Sequence, residues 1–73
     1  MKLNDLSPGQ SARILAVKHQ GPRLQRLLEM GFAEGGHVTL VRRAPLGDPI
    51  EVRLTDFSLS IRYDDARLIE VEP

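Results

Sequence analysis

Cysteine is absent from the 73 residues, and with it go every disulfide framework, thiol nucleophile and thiolate zinc site. Tryptophan is absent too, and Phe32, Phe57 and Tyr63 are the only aromatics. Three rings are too few for the stacking platform that binds single-stranded nucleic acid or for an aromatic groove that holds proline-rich peptides. Charge of one sign is also lacking: ten basic residues balance ten acidic ones, so the chain has no long-range field of the kind nucleic-acid binders use. No apolar run approaches the ~20 residues of a membrane span. The opening Met-Lys-Leu-Asn-Asp-Leu-Ser-Pro-Gly, polar and broken by Pro8, does not have the pattern of a signal peptide. These absences lead us to expect one small cytoplasmic domain over residues 1–73, with no nucleic-acid partner, no direct membrane insertion and a core built from aliphatic side chains.

What is present reads as short strands with one helix. Ser7-Pro8-Gly9 is a turn signal, and Ala12–Val17 is rich enough in branched apolar residues for a first strand. Ile14 and Leu15 break its alternation, through either a bulge or a strand covered on both faces. Gly21-Pro22 opens a helix of about ten residues whose Leu24, Leu27 and Leu28 recur on one face. Gly31 closes it in the left-handed conformation and leaves Phe32 to touch Leu27. Met30 falls at the edge of the leucine stripe beside Arg23 and Arg26, a position that suits a core gap-filler before a contact residue.

After Gly35-Gly36, Val38, Leu40 and Arg42 alternate with Thr39, Val41 and Arg43, and the first set is expected to face inward. Ile50, Val52 and Leu54 form the inward set of a next strand, and Phe57, Leu59 and Ile61 that of another. Asp64-Asp65-Ala66 offers a capped single turn, and Leu68–Val71 a last strand. Closely spaced strands with short turns and one helix predict a mainly β fold: a small antiparallel barrel of about five strands with one short helix.

Little of this can carry chemistry. The serines at 7, 11, 58 and 60 have no nearby histidine, so no catalytic residue is assigned. His19 and His37 are separated by the whole helix, and Asp64-Asp65 is the only adjacent carboxylate pair, which reads first as solvated polar residues and a helix cap. Gly31–Gly36 lacks the lysine and hydroxyl of a phosphate loop and leads into a strand, so its glycines read as a cap and a turn. No cofactor and no metal ligand is assigned.

One stretch stands apart. In Ala-Pro-Leu-Gly-Asp-Pro, residues 44–49, Pro45 and Gly47 fit the second and fourth positions of a type I turn, with Gly47 free to start a bulge. Asp48 suits a hydrogen bond to the loop's own amides, and Pro49 fixes the direction of the returning strand. Leu46 has no such task in a turn. Either it folds back onto the core or something else covers it.

Leu-X-X-Leu-X-X-Gly at the start, Arg-Leu-Leu-Glu-Met-Gly at 26–31, Ala-Pro-Leu-Gly-Asp-Pro-Ile at 44–50 and Ile-Arg-Tyr-Asp-Asp-Ala at 61–66 together resemble the FeoA family of ferrous iron transport proteins, over essentially the whole chain. The resemblance implies an SH3-like β-barrel in the cytoplasm, not an enzyme, that supports the ferrous-iron transporter FeoB by protein–protein interaction, or contacts a second copy of itself. FeoB's own soluble domain hydrolyses GTP. Carried onto this chain, the helix motif covers Arg26, Leu27 and Met30, and the loop motif Pro45, Leu46, Gly47, Asp48 and Pro49; these are the expected partner-binding residues. Glu34 stands where the family commonly has proline, and Asp56 where it commonly has glycine, which puts local loop shape in question. The alternative reading is a metal-sensing domain, related to those of iron-dependent repressors, with His19, His37 and the acidic turn as ligands.

Overall fold

A computed structural model describes residues 1–73 as one five-stranded antiparallel sheet with a short helix. The strands are β1 (Ser11–Val17), β2 (His37–Arg43), β3 (Ile50–Arg53), β4 (Ser58–Ile61) and β5 (Ile69–Glu72), in the spatial order β4-β3-β2-β1-β5. The helix α1 spans Gly21–Glu29 between β1 and β2, and a single turn, α2 (Tyr63–Ala66), joins β4 to β5. A 3-10 turn over Leu3–Asp5 precedes the first strand.

Side chains from all five strands meet in one core: Ala12 and Ile14, Val38 and Leu40, Ile50 and Val52, Ile61, then Ile69 and Val71. Leu3 and Leu6 on either side of Asn4-Asp5 are both fully buried, which explains the Leu-X-X-Leu spacing as a plug for this core. The sheet curls around it because two strands carry an extra residue, and a bulge bends a strand and increases its twist. One lies in β1 between Ile14 and Ala16, where the irregular alternation resolves as a bulge. The other lies in β2, where Leu40 faces Val52 but Arg42 already faces Glu51. The expected bulge after Gly47 is therefore in the outgoing strand, at Val41.

That slip changes which side Arg43 occupies. It pairs with Ile50, a core residue, so it shares the inner side that the simple alternation gave to Arg42. Its guanidinium donates to the carbonyl oxygens of Asn4 at 3.0 Å and Leu6 at 2.6 Å, fastening the end of β2 to the N-terminal turn.

Helix α1 ends as its sequence requires. Gly31, at φ +110°, lets the Gly31 N–H reach the Leu28 carbonyl at 3.0 Å and the Phe32 N–H reach that of Leu27 at 3.2 Å, with Leu27 and Phe32 both buried. The leucine stripe is shallower than its spacing implies. Leu27 alone is buried, Leu24 is half-buried and Leu28 is exposed, because α1 lies on the rim of the barrel and meets the core along one residue. Met30 packs against the core, as its position at the stripe edge suggested.

Both departures in the turns are accommodated. Gly36 donates to the Ala33 carbonyl at 3.0 Å, and Gly35 has φ +87°, the third-position value of a type II turn. Its second position favours proline but accepts Glu34. In the β3–β4 hairpin, Leu54 N–H donates to the Phe57 carbonyl, and neither Thr55 nor Asp56 has a positive φ, so no glycine is needed there. Phe57 keeps its inward parity but overhangs the rim, about half exposed, with its ring against Gly31.

Candidate partner-contact site

The β2–β3 loop is built by its backbone. Gly47 N–H donates to Ala44 O at 2.7 Å, closing the four-residue turn that Pro45 and Gly47 predict, with Gly47 at φ +90°. Ala44 N–H donates to Pro49 O at 3.0 Å and closes the loop one step further out. The Asp48–Pro49 peptide is cis.

Asp48 does not serve the loop's own amides. Its Oδ1 accepts from the Tyr63 backbone N–H at 2.9 Å, satisfying a first-turn donor of α2 that no side chain of its own N-cap residue, Arg62, reaches. The loop is thus pinned to α2 on one side and, through Arg43, to the N-terminal turn on the other.

On this braced support Leu46 is 96% exposed. It packs on nothing, which settles the choice between core and surface. Next to it runs a shallow groove lined by Arg43, Gly47, Asp48, Arg62, Tyr63 and Asp64, in which Tyr63 is half exposed. With Leu46 itself, the groove brings together two guanidinium groups, two carboxylates and two large apolar surfaces.

The helix motif behaves differently. Leu27 has no exposed surface, so it serves the core and cannot meet a partner. Arg26 points to α2, where its Nη2 lies 3.0 Å from Asp65 Oδ2 while Arg23 Nε lies 2.8 Å from Asp65 Oδ1. Asp65 is the one buried charged residue, about 8% exposed. A solvated Asp64-Asp65 pair was expected; Asp64 is solvated and meets Arg67 at 3.7 Å, but Asp65 is the ionic anchor of α1. Burial here is sustained by charge-assisted hydrogen bonds to two arginines.

The four-residue turn α2 therefore holds both halves of the expected site: Tyr63 takes Asp48 of the loop, and Asp65 takes Arg26 of the helix. Tyr63, Arg62 and Asp65 were not among the expected residues. The motif Ile-Arg-Tyr-Asp-Asp-Ala marked their position, but nothing local in the sequence directs Asp48 to the Tyr63 amide. His19 follows β1 and His37 begins β2, and no three His, Asp or Glu side chains converge anywhere in the chain, so the alternative ligand set is not assembled.

Comparison with known proteins bears on this geometry. The FeoA domain family matches residues 1–73. The chain belongs to the FeoA domain family. A Porphyromonas gingivalis protein named as a fusion of Fe(2+) transport protein A and Fe(2+) transporter FeoB is 44% identical over 72 residues, covering 99% of this chain and 8% of the fusion protein. The FeoA-family chain thus spans about one twelfth of that curated relative. The solution structure of iron(II) transport protein A from Clostridium thermocellum superposes with a TM-score of 0.95 at 42% identity, over 99% of this chain and 44% of that one. The crystal structure of Stenotrophomonas maltophilia FeoA complexed with zinc, described as an SH3 domain protein, has a TM-score of 0.86 at 28% identity over 99% and 89% of the two chains. The fold is the SH3-like one that the FeoA resemblance implied.

Proposed function

We propose that the chain is a non-enzymatic accessory module of ferrous-iron uptake, acting in the cytoplasm by direct contact with a FeoB-type GTPase transporter. The observation that carries this reading is Leu46: 96% exposed on a loop whose every other residue has a bond or turn to make. An apolar side chain on a pre-ordered support loses little conformational entropy on docking and can fill a pocket of its partner as an anchor.

Pro45, Gly47, Asp48 and Pro49 hold the anchor, Tyr63 and Arg62 flank it, Arg26 acts through its ion pair with Asp65 of α2, and Met30 through its packing against the core. Support for the partner comes from the Porphyromonas gingivalis relative, in which the equivalent domain and the transporter are one polypeptide. No helix is long and apolar enough to cross a membrane, which fits a module that meets the transporter on its soluble side. A pull-down with the transporter's soluble domain as bait, with and without guanine nucleotide, tests the proposal. Retention of the intact chain is expected, and its absence in both nucleotide conditions would refute direct contact with that domain.

A further inference from the structure

The sheet has two edges, and the chain treats them differently. β5 is covered: Lys2 forms a bridge with Glu70, and Val71 N–H donates to Met1 O at 2.8 Å. β4 has a neighbour on one side only. Its ladder with β3 runs without a break from Ile50 opposite Ile61 to Arg53 opposite Ser58.

The direction of its free groups follows from the hairpin. Leu54 N–H donates to Phe57 O, so the hydrogen-bonded pairs alternate onward as Val52 with Leu59 and Ile50 with Ile61. The N–H and C=O of Ser58 and Ser60 then point away from the sheet. Neither residue makes a backbone hydrogen bond to any other segment, and both are exposed.

Edges are ordinarily blunted by shortness, charge, proline or a bulge. Ser-Leu-Ser-Ile is short, with four residues, but has no charge, proline or bulge. Phe57 and Tyr63, each about half exposed, bracket it. Arg53, directly across from Ser58, and Arg62, just past the strand, are exposed and meet no carboxylate, whereas Arg13, Arg23, Arg26, Arg42 and Arg67 each do.

We propose that the β4 edge takes up an extended, acidic segment of a protein partner as a sixth strand. Ser58 and Ser60 would supply main-chain hydrogen bonds, Arg53 and Arg62 would select carboxylates, and the two rings would receive apolar side chains at the ends. A second copy fits less well, since pairing two β4 edges brings Arg53 and Arg62 of both chains to one seam. Arg62 and Tyr63 also line the groove beside Leu46, so a strand leaving this edge passes into that groove. The proposal stands on the edge alone and does not depend on Leu46 being an anchor.

Random decapeptides displayed against the intact protein, with the selected peptides titrated into its amide NMR spectrum, test it. Enrichment in Asp and Glu is expected, with shifts and slowed exchange at Ser58 and Ser60. Ser60→Pro deletes an outward N–H that the sheet does not use, and should lower affinity about tenfold or more. N-methylation of alternate peptide amides should do the same on the unaltered protein. Selection without acidic enrichment, peptides that map elsewhere, full affinity in both the Ser60→Pro protein and the N-methylated peptides, or pairing of β4 with itself would each overturn the proposal.

Discussion

Gly31 shows how far one residue can be constrained. It holds φ +110° to end α1, and a Cβ there would lie 2.9 Å from Leu54 Cδ1 and 3.2 Å from Phe57 Cζ. Gly31→Ala is expected to cost about 1–3 kcal/mol, from backbone strain plus displacement of these neighbours; urea unfolding measures it, and a change near zero would mean the cap relaxes freely. This site was legible in the sequence, because a helix stop and the Phe32–Leu27 contact are local. Asp48 was legible only as a polar loop residue, since its acceptor role is directed fifteen positions away, to the Tyr63 amide. Glu70 is likewise invisible to local pattern. Its carboxyl is held below the ordinary value of 4.5, first by the Lys2 side chain, with desolvation opposing. A lowered carboxylate stabilises the folded state above its ordinary pKa and loses that contribution as pH falls through the lowered value. Acidification below pH 4.5 is thus expected to loosen residues 1–2 from β5, and carboxyl NMR should show Glu70 titrating below 4.5, not at it.

Among the elements, the strands were readable and the helix only in part. Alternation placed Val38, Leu40, Ile50 and Val52 correctly in the core, because each faces inward before or away from a bulge. The bulge at Val41 defeats the same rule for Arg42 and Arg43, since one inserted residue exchanges the faces of all that follow. For α1, periodicity gave the direction of the leucine stripe and not its depth: Leu27 is buried and Leu28 is not. A nine-residue helix with one buried residue depends on its ionic connection to α2. Asp65→Ala leaves Arg23 and Arg26 without their acceptor and is expected to cost about 1–3 kcal/mol in unfolding free energy. Amide exchange in α1 should accelerate about tenfold or more, while β1 and β2 change little. Uniform acceleration throughout the chain would show instead that α1 and the sheet open as one unit.

At the scale of the whole molecule, a small antiparallel sheet with one short helix followed from spacing and turn chemistry, and the family resemblance supplied its SH3-like character. What the sequence could not supply was the arrangement that joins the parts. The loop, the N-terminal turn and α1 are separated along the chain, yet Arg43, Asp48 and Asp65 connect all three around α2. That bracing holds the loop from which Leu46 stands clear of the core. The most direct test is to replace Leu46 by Asp and measure, on the same preparation, thermal unfolding and binding to the soluble domain of a FeoB-type transporter. Stability within about 0.5 kcal/mol of the parent is expected, as for an exposed surface site, with affinity weakened about tenfold or more, as for an interface anchor. Unchanged affinity, or a collapse of stability, would contradict the assignment of Leu46 as an exposed anchor.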